Sequence, residues 1–156
     1  MTKPDFGALV VEELAPPFLA AGFRSLAEDE RSHFLTSPSG EVLRLTLEPR
    51  DGVAVDYLVP GEGGGWRSYE MGLYLVKRAD KARIPRTRLP GGPLNEERIR
   101  RELNFFRSLF EAVGQDLLAP GHEWLSDYPW PSTPLSGTSE LGLARVLGRS
   151  QPNPGS

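Results

Sequence analysis

The segment SHFLTSPSGEVLRLTLEPRDGVAVDYLV, residues 32–59, constrains the fold more than any other part of the chain. Leu43, Leu45 and Leu47 alternate with Val42, Arg44, Thr46 and Glu48. A period of two belongs to an extended strand with one face buried. SPSG and RDG interrupt the pattern where short turns between neighbouring strands are expected. The reading is three strands, SHFLT, EVLRLTLEP and VAVDYLV, with a fourth over YEMGLYLVK after the loop PGEGGGWRS. Successive strands with short connections make an antiparallel meander.

Helical patterns flank the meander. Phe6, Leu9, Val10 and Leu14 follow a 3.6-residue spacing, and Asp5 is placed to cap them. Pro16 and Pro17 end or kink that helix, Phe18, Leu19 and Phe23 extend its apolar face, and Gly22 stops it. Asn95 caps a second helix with Glu96 and Glu97 in its first turn, and Ile99, Leu103, Phe106, Phe110 and Val113 form its seam. Phe105 and Leu109 widen that seam and would support a homodimer. The expected fold is α+β: a four-stranded antiparallel sheet with N-terminal and C-terminal helices packed on one face. One domain spans 4–130. Residues 131–156 are rich in Pro, Ser and Gly and read as a mostly irregular tail, with a short helical turn at SELGLARVL.

The absence of cysteine excludes disulfides and thiolate metal sites, which suits a reducing cytoplasm. No apolar run approaches the roughly 20 residues of a membrane span, and Asp5, Glu12 and Glu13 interrupt any secretory design at the N-terminus. The expectation is a cytoplasmic protein without membrane attachment. Arginine exceeds lysine 15 to 3, which reads as the codon bias of a GC-rich, bacterial genome.

Charge is distributed unevenly. The chain has a formal charge of −3, yet KRADKARIPRTR, residues 77–88, holds Lys77, Arg78, Lys81, Arg83, Arg86 and Arg88 against Asp80 alone. A basic loop of this kind is either solvated or offered to an anionic partner. No aromatic lies between Lys77 and Asn104 to stack on bases. Trp66 and Arg67 follow the glycine loop, where Trp66 either anchors an interface or packs at a rim. GEGGGW lacks the lysine and the following helix of a phosphate loop. Trp124, Tyr128 and Trp130 in EWLSDYPW close a core or anchor an interface.

A catalytic reading needs His33 beside Asp56 or Glu70, with Arg44 and Tyr74 on the same sheet face. His122 and His33 have no metal-site spacing, and neither a serine elbow nor a cofactor cradle is present in the sequence. No catalytic residue, metal or cofactor is therefore assigned. LAPPFLAAGFRS followed by HFLTSPSGEVLRLTLEPR resembles small uncharacterised bacterial proteins of the immunity-protein kind, with AGFRS at 21–25 the best match. The resemblance covers mainly residues 9–50. It implies an α+β fold and a protein-binding role, and carries over no catalytic residue. The Pro16-Pro17 pair, the basic loop and the tail depart from that pattern. The resulting expectation is a non-enzymatic protein-binding module that occludes a toxin through Trp66, Arg67 and the basic residues of 77–88. The alternatives are a nucleic-acid accessory protein using 77–88 and a small His/carboxylate enzyme.

Overall fold

A computed structural model describes residues 5–61, 63–85 and 92–150, with side chains to residue 148. The chain is α+β, with an antiparallel sheet as expected, but the sheet has six strands rather than four. They are β1 (Arg24–Ala27), β2 (Ser32–Thr36), β3 (Val42–Glu48), β4 (Gly52–Pro60), β5 (Trp66–Glu70) and β6 (Thr133–Pro134), lying side by side in sequence order. The helices are α1 (Phe6–Glu13), α2 (Pro16–Ala20), α3 (Gly72–Lys81), α4 (Glu96–Val113), α5 (Gln115–Leu118) and α6 (Gly137–Ser150), and a 3₁₀ turn covers Glu123–Ser126. Among the described residues no helix is long and apolar enough to cross a membrane.

The local signals at both flanking helices are realised. The Asp5 carboxylate accepts from the Ala8 N–H at 3.1 Å, and Asn95 accepts from the Arg98 N–H at 2.9 Å. Each satisfies an amide that the first helical turn leaves without a partner. Pro16 opens α2, where its missing N–H is no loss.

The core lies between the sheet and helices α1 to α4. Leu35, Leu43, Leu45, Val55 and Tyr57 point to that side and meet Phe6, Val10, Phe18, Leu103 and Phe110. Phe18 packs edge-on against Phe23 and Phe110, with ring centres 5.2 and 4.9 Å apart. Phe105 and Leu109 are buried within the chain, so the widened seam of α4 is used internally.

Three expectations are corrected. The segment YEMGLYLVK is not a strand throughout: β5 ends at Glu70 and α3 begins at Gly72. The Glu70 carboxylate accepts from the Leu73 N–H at 2.9 Å and so starts the helix. A Cβ at position 72 would lie 2.7 Å from Glu70 Oε1, so the glycine lets that carboxylate close over the turn. Met71, Leu75 and Ala79 are then buried on one side, whereas Leu73 is 66% exposed. The tail is not mostly irregular, since it supplies β6 and α6. Nor do the helices occupy one face only. Phe34, Val42 and Leu58 point away from the main core and are buried under Leu143 and Val146 of α6.

Candidate interaction surface

Six aromatic rings connect the core to the surface beside α3. Tyr57 meets Trp124 at 5.1 Å between ring centres, and Trp124 meets Tyr69 at 5.3 Å. Tyr69 meets Tyr128 at 5.2 Å, and Tyr128 meets Trp130 at 5.5 Å. Tyr74 touches both Tyr128 and Trp130, at 4.9 and 6.4 Å. Trp124 is 2% exposed and Trp130 38%, so the series runs from interior to solvent. Edge-to-face contacts of this kind hold each ring through its neighbour.

Polar contacts fix the same region. Tyr74 donates to Asp127 Oδ2 at 2.8 Å. Arg78 donates to both carboxylate oxygens of Asp116, at 2.6 and 2.9 Å, to the Val113 carbonyl at 3.0 Å and to the Tyr74 hydroxyl at 2.5 Å. The paired fork of Arg78 on Asp116 is the strong form of such a contact. Asp116 in turn holds the guanidinium well above its ordinary pKa. Burial, reinforced by the hydrogen bond to Asp127, pushes the Tyr74 hydroxyl up to about 12, and burial pushes Tyr128 up to about 12. The Tyr74 hydroxyl and Arg78 draw the Asp127 carboxyl below its ordinary value.

The exposed side of α3 carries Leu73, Lys77 and Lys81, four residues apart and therefore in one stripe. Lys77 Nζ stands 5.3 Å from the centre of the Trp130 ring. A stripe of one leucine and two lysines thus borders a rigidly held tryptophan, with Arg83 exposed just beyond the helix end.

The residues expected to bind a partner divide into three groups. Lys77, Lys81 and Arg83 are exposed around this surface. Arg78 is committed to Asp116, Tyr74 and Asp127, Arg67 donates to the Ser132 hydroxyl and carbonyl at 2.6 and 2.9 Å, and half-buried Trp66 packs beside α6. Arg86 and Arg88 lie outside the described residues. The basic stretch is therefore not one loop, because its first five residues complete α3. Leu73, Asp116 and Asp127 entered no expected binding surface, Tyr74 was expected only beside His33 on the sheet, and Trp130 was expected either to close a core or to anchor an interface. A helical spacing of 73, 77 and 81 was the signal available, and the strand reading of that segment concealed it.

The His/carboxylate grouping does not form. Cross-strand pairing aligns Arg44 with Asp56 and Asp56 with Glu70, whereas His33 pairs with Leu45 on the opposite face, and Tyr74 belongs to α3. Arg44 and Asp56 are 3.7 Å apart, and burial raises the Asp56 carboxyl despite that neighbour. His33 is buried under α1, with Nε2 at 2.5 Å from Ser25 Oγ and Nδ1 close to where a Cβ on Gly7 would sit. Burial holds its pKa below the ordinary value, with Asp5 opposing only in part. His122 is exposed and 3.9 Å from Glu41. No group of three or more metal-ligating side chains occurs among the described residues.

No protein-family model, curated protein or solved structure matches the chain.

Proposed function

We propose that the chain is a protein-binding module that acts by occluding its partner, with Trp130 and Leu73 as apolar anchors and Lys77, Lys81 and Arg83 as the charged rim. The observation that carries this reading is Trp130, exposed at the end of a packed aromatic series and set against Tyr74 and Lys77 of α3, the helix whose Leu73 is 66% exposed. An aromatic anchor already held in place loses little side-chain freedom on binding, and such residues dominate interface energetics. The lysines favour an acidic surface around the apolar contact and accelerate encounter with it. The most specific form of the reading is an immunity-like protein that covers a toxin.

The test compares affinity capture from the source lysate by the native chain and by Trp130→Ala and Leu73→Asp, at low and high salt and with nuclease. A single stoichiometric protein retained by the native chain through both treatments, and weakened at least about tenfold by Trp130→Ala, is expected of a buried aromatic anchor. Equal capture by native and variant chains would remove this surface from the reading. Loss of the partner on nuclease treatment would favour nucleic-acid association through the basic stretch. Inhibition of the captured protein's toxicity, measured by titration, tests the immunity form directly.

A further inference from the structure

The sheet has a second apolar face, and α6 covers it in a different manner from the helices of the main core. Phe34, Val42 and Leu58 make that face, with Leu26 and Trp66 at its border. Of the described hydrophobic side chains of α6, Leu143 and Val146 are fully buried on it, joined by partly buried Leu147, while Leu141 points outward at 70% exposure. The helix is approached through β6, two residues long and containing Pro134, which has no N–H to give. Gly142 and Gly148 lie inside α6, and glycine is a poor helix former. This helix depends on its seat for its order.

The seat itself is specific. Glu140 Oε1 accepts from the Trp66 N–H at 3.1 Å. A Cβ at 142 would overlap the Glu28 carboxylate just past β1, so the glycine lets α6 lie close to that carboxylate where a larger residue would have to push it aside. Four residues thus mark the fit: an acid at 140, a glycine at 142, and aliphatic residues at 143 and 146, one helical turn apart.

We infer that α6 is a detachable cover over a helix-binding surface, and that the partner this surface takes is an amphipathic helix with the α6 pattern: an acidic residue, glycine two positions on, then leucine and valine three and six positions on. When α6 leaves, Phe34, Val42 and Leu58 become available to that helix, and the partner's carboxylate takes the Trp66 N–H. The intact chain is self-inhibited at this site. The inference goes beyond the Trp130 surface, which lies on the other side of the sheet, and it stands or falls independently.

Two measurements test it on the full chain. Hydrogen exchange should show α6 amides exchanging at least about tenfold faster than those of β3 and β4, as expected for a segment that opens without global unfolding. Equal protection would overturn the inference. A fluorescent peptide of residues 136–148 should bind a full-length Leu143→Asp chain, whose own helix cannot seat, at least about tenfold more tightly than the native chain. That margin follows when the native site is open less than about a tenth of the time. The same peptide carrying Leu143→Asp should not bind. Failure of the peptide to bind the variant overturns the inference, and so does a Leu143→Asp chain that cannot fold, because a cover is not required by what it covers.

Discussion

Arg83 has a φ of 57°, in the left-handed region that suits glycine. It stands just past the end of α3, where the Ile84 N–H closes on the Ala79 carbonyl at 2.9 Å. Helices commonly end this way, with glycine at the left-handed position. Arg83→Gly is therefore expected to stabilise the chain by about 1 kcal/mol, the usual penalty of a side chain there. Chemical denaturation measures this directly. A loss of stability would mean that the guanidinium makes a contact worth more than the backbone strain. Its position was hard to read from the sequence, because Pro85 signals that a helix stops nearby but no glycine marks the left-handed residue. Asp5, Asn95 and Gly22 were legible as caps and stops because their chemistry is local: a short polar side chain beside a free amide, or a residue without a Cβ.

At the scale of elements, α4 is joined to the β3–β4 turn by one buried carboxylate. Glu102 Oε1 accepts from the Val53 N–H at 3.1 Å, and Oε2 accepts from Arg98 Nε at 2.8 Å. Gly52, at a φ of 90°, gives the carboxylate room, since a Cβ there would overlap it. Glu102→Ala leaves a half-buried guanidinium and a backbone amide without their acceptor. The expected loss is about 3 kcal/mol, read as a shift in the denaturation midpoint. Glu102→Gln should lose less, because the amide oxygen still accepts from Val53. Equal losses for the two variants would assign the effect to charge alone. Glu102 was placed in no expected role, because its partner lies 49 positions away in the sequence and no local pattern records that distance. The same reason separates the legible elements from the missed ones. The strands β2, β3 and β4 show their own alternation. The start of α3 depends on Glu70 folding back, and α6 depends on a sheet face whose exposure was assumed. Val42 beside Leu43 was the available sign that β3 is covered on both sides, since a strand covered on one side has no need of apolar residues at consecutive positions.

Across the whole molecule, acid acts on buried groups in opposite directions. The unfolded chain protonates His33 near its ordinary pKa of 6.5, whereas burial under α1 keeps the folded ring neutral to lower pH. Its contribution to stability is therefore full above pH 6.5 and declines as the pH falls below that value toward the folded pKa. Glu28, Asp56 and Glu70 behave in the reverse sense. Burial is the first cause of the rise in each, so the folded chain binds their protons more readily than the unfolded chain does. Their contribution is present at low pH and is lost as the pH rises through the folded values. A single pH–stability curve superposes these trends, and the His33→Gln variant separates them. Glutamine retains a hydrogen-bonding partner for Ser25 and does not titrate. The stability difference between native and variant chains should be constant above pH 6.5 and should fall, to the disadvantage of the native chain, between pH 6.5 and the folded pKa of His33. The carboxylates cancel from that difference because both chains carry them. A difference that stays flat through this window would mean that the folded ring takes up its proton as readily as the unfolded one, so that Asp5 and Ser25 offset burial under Gly7 in full.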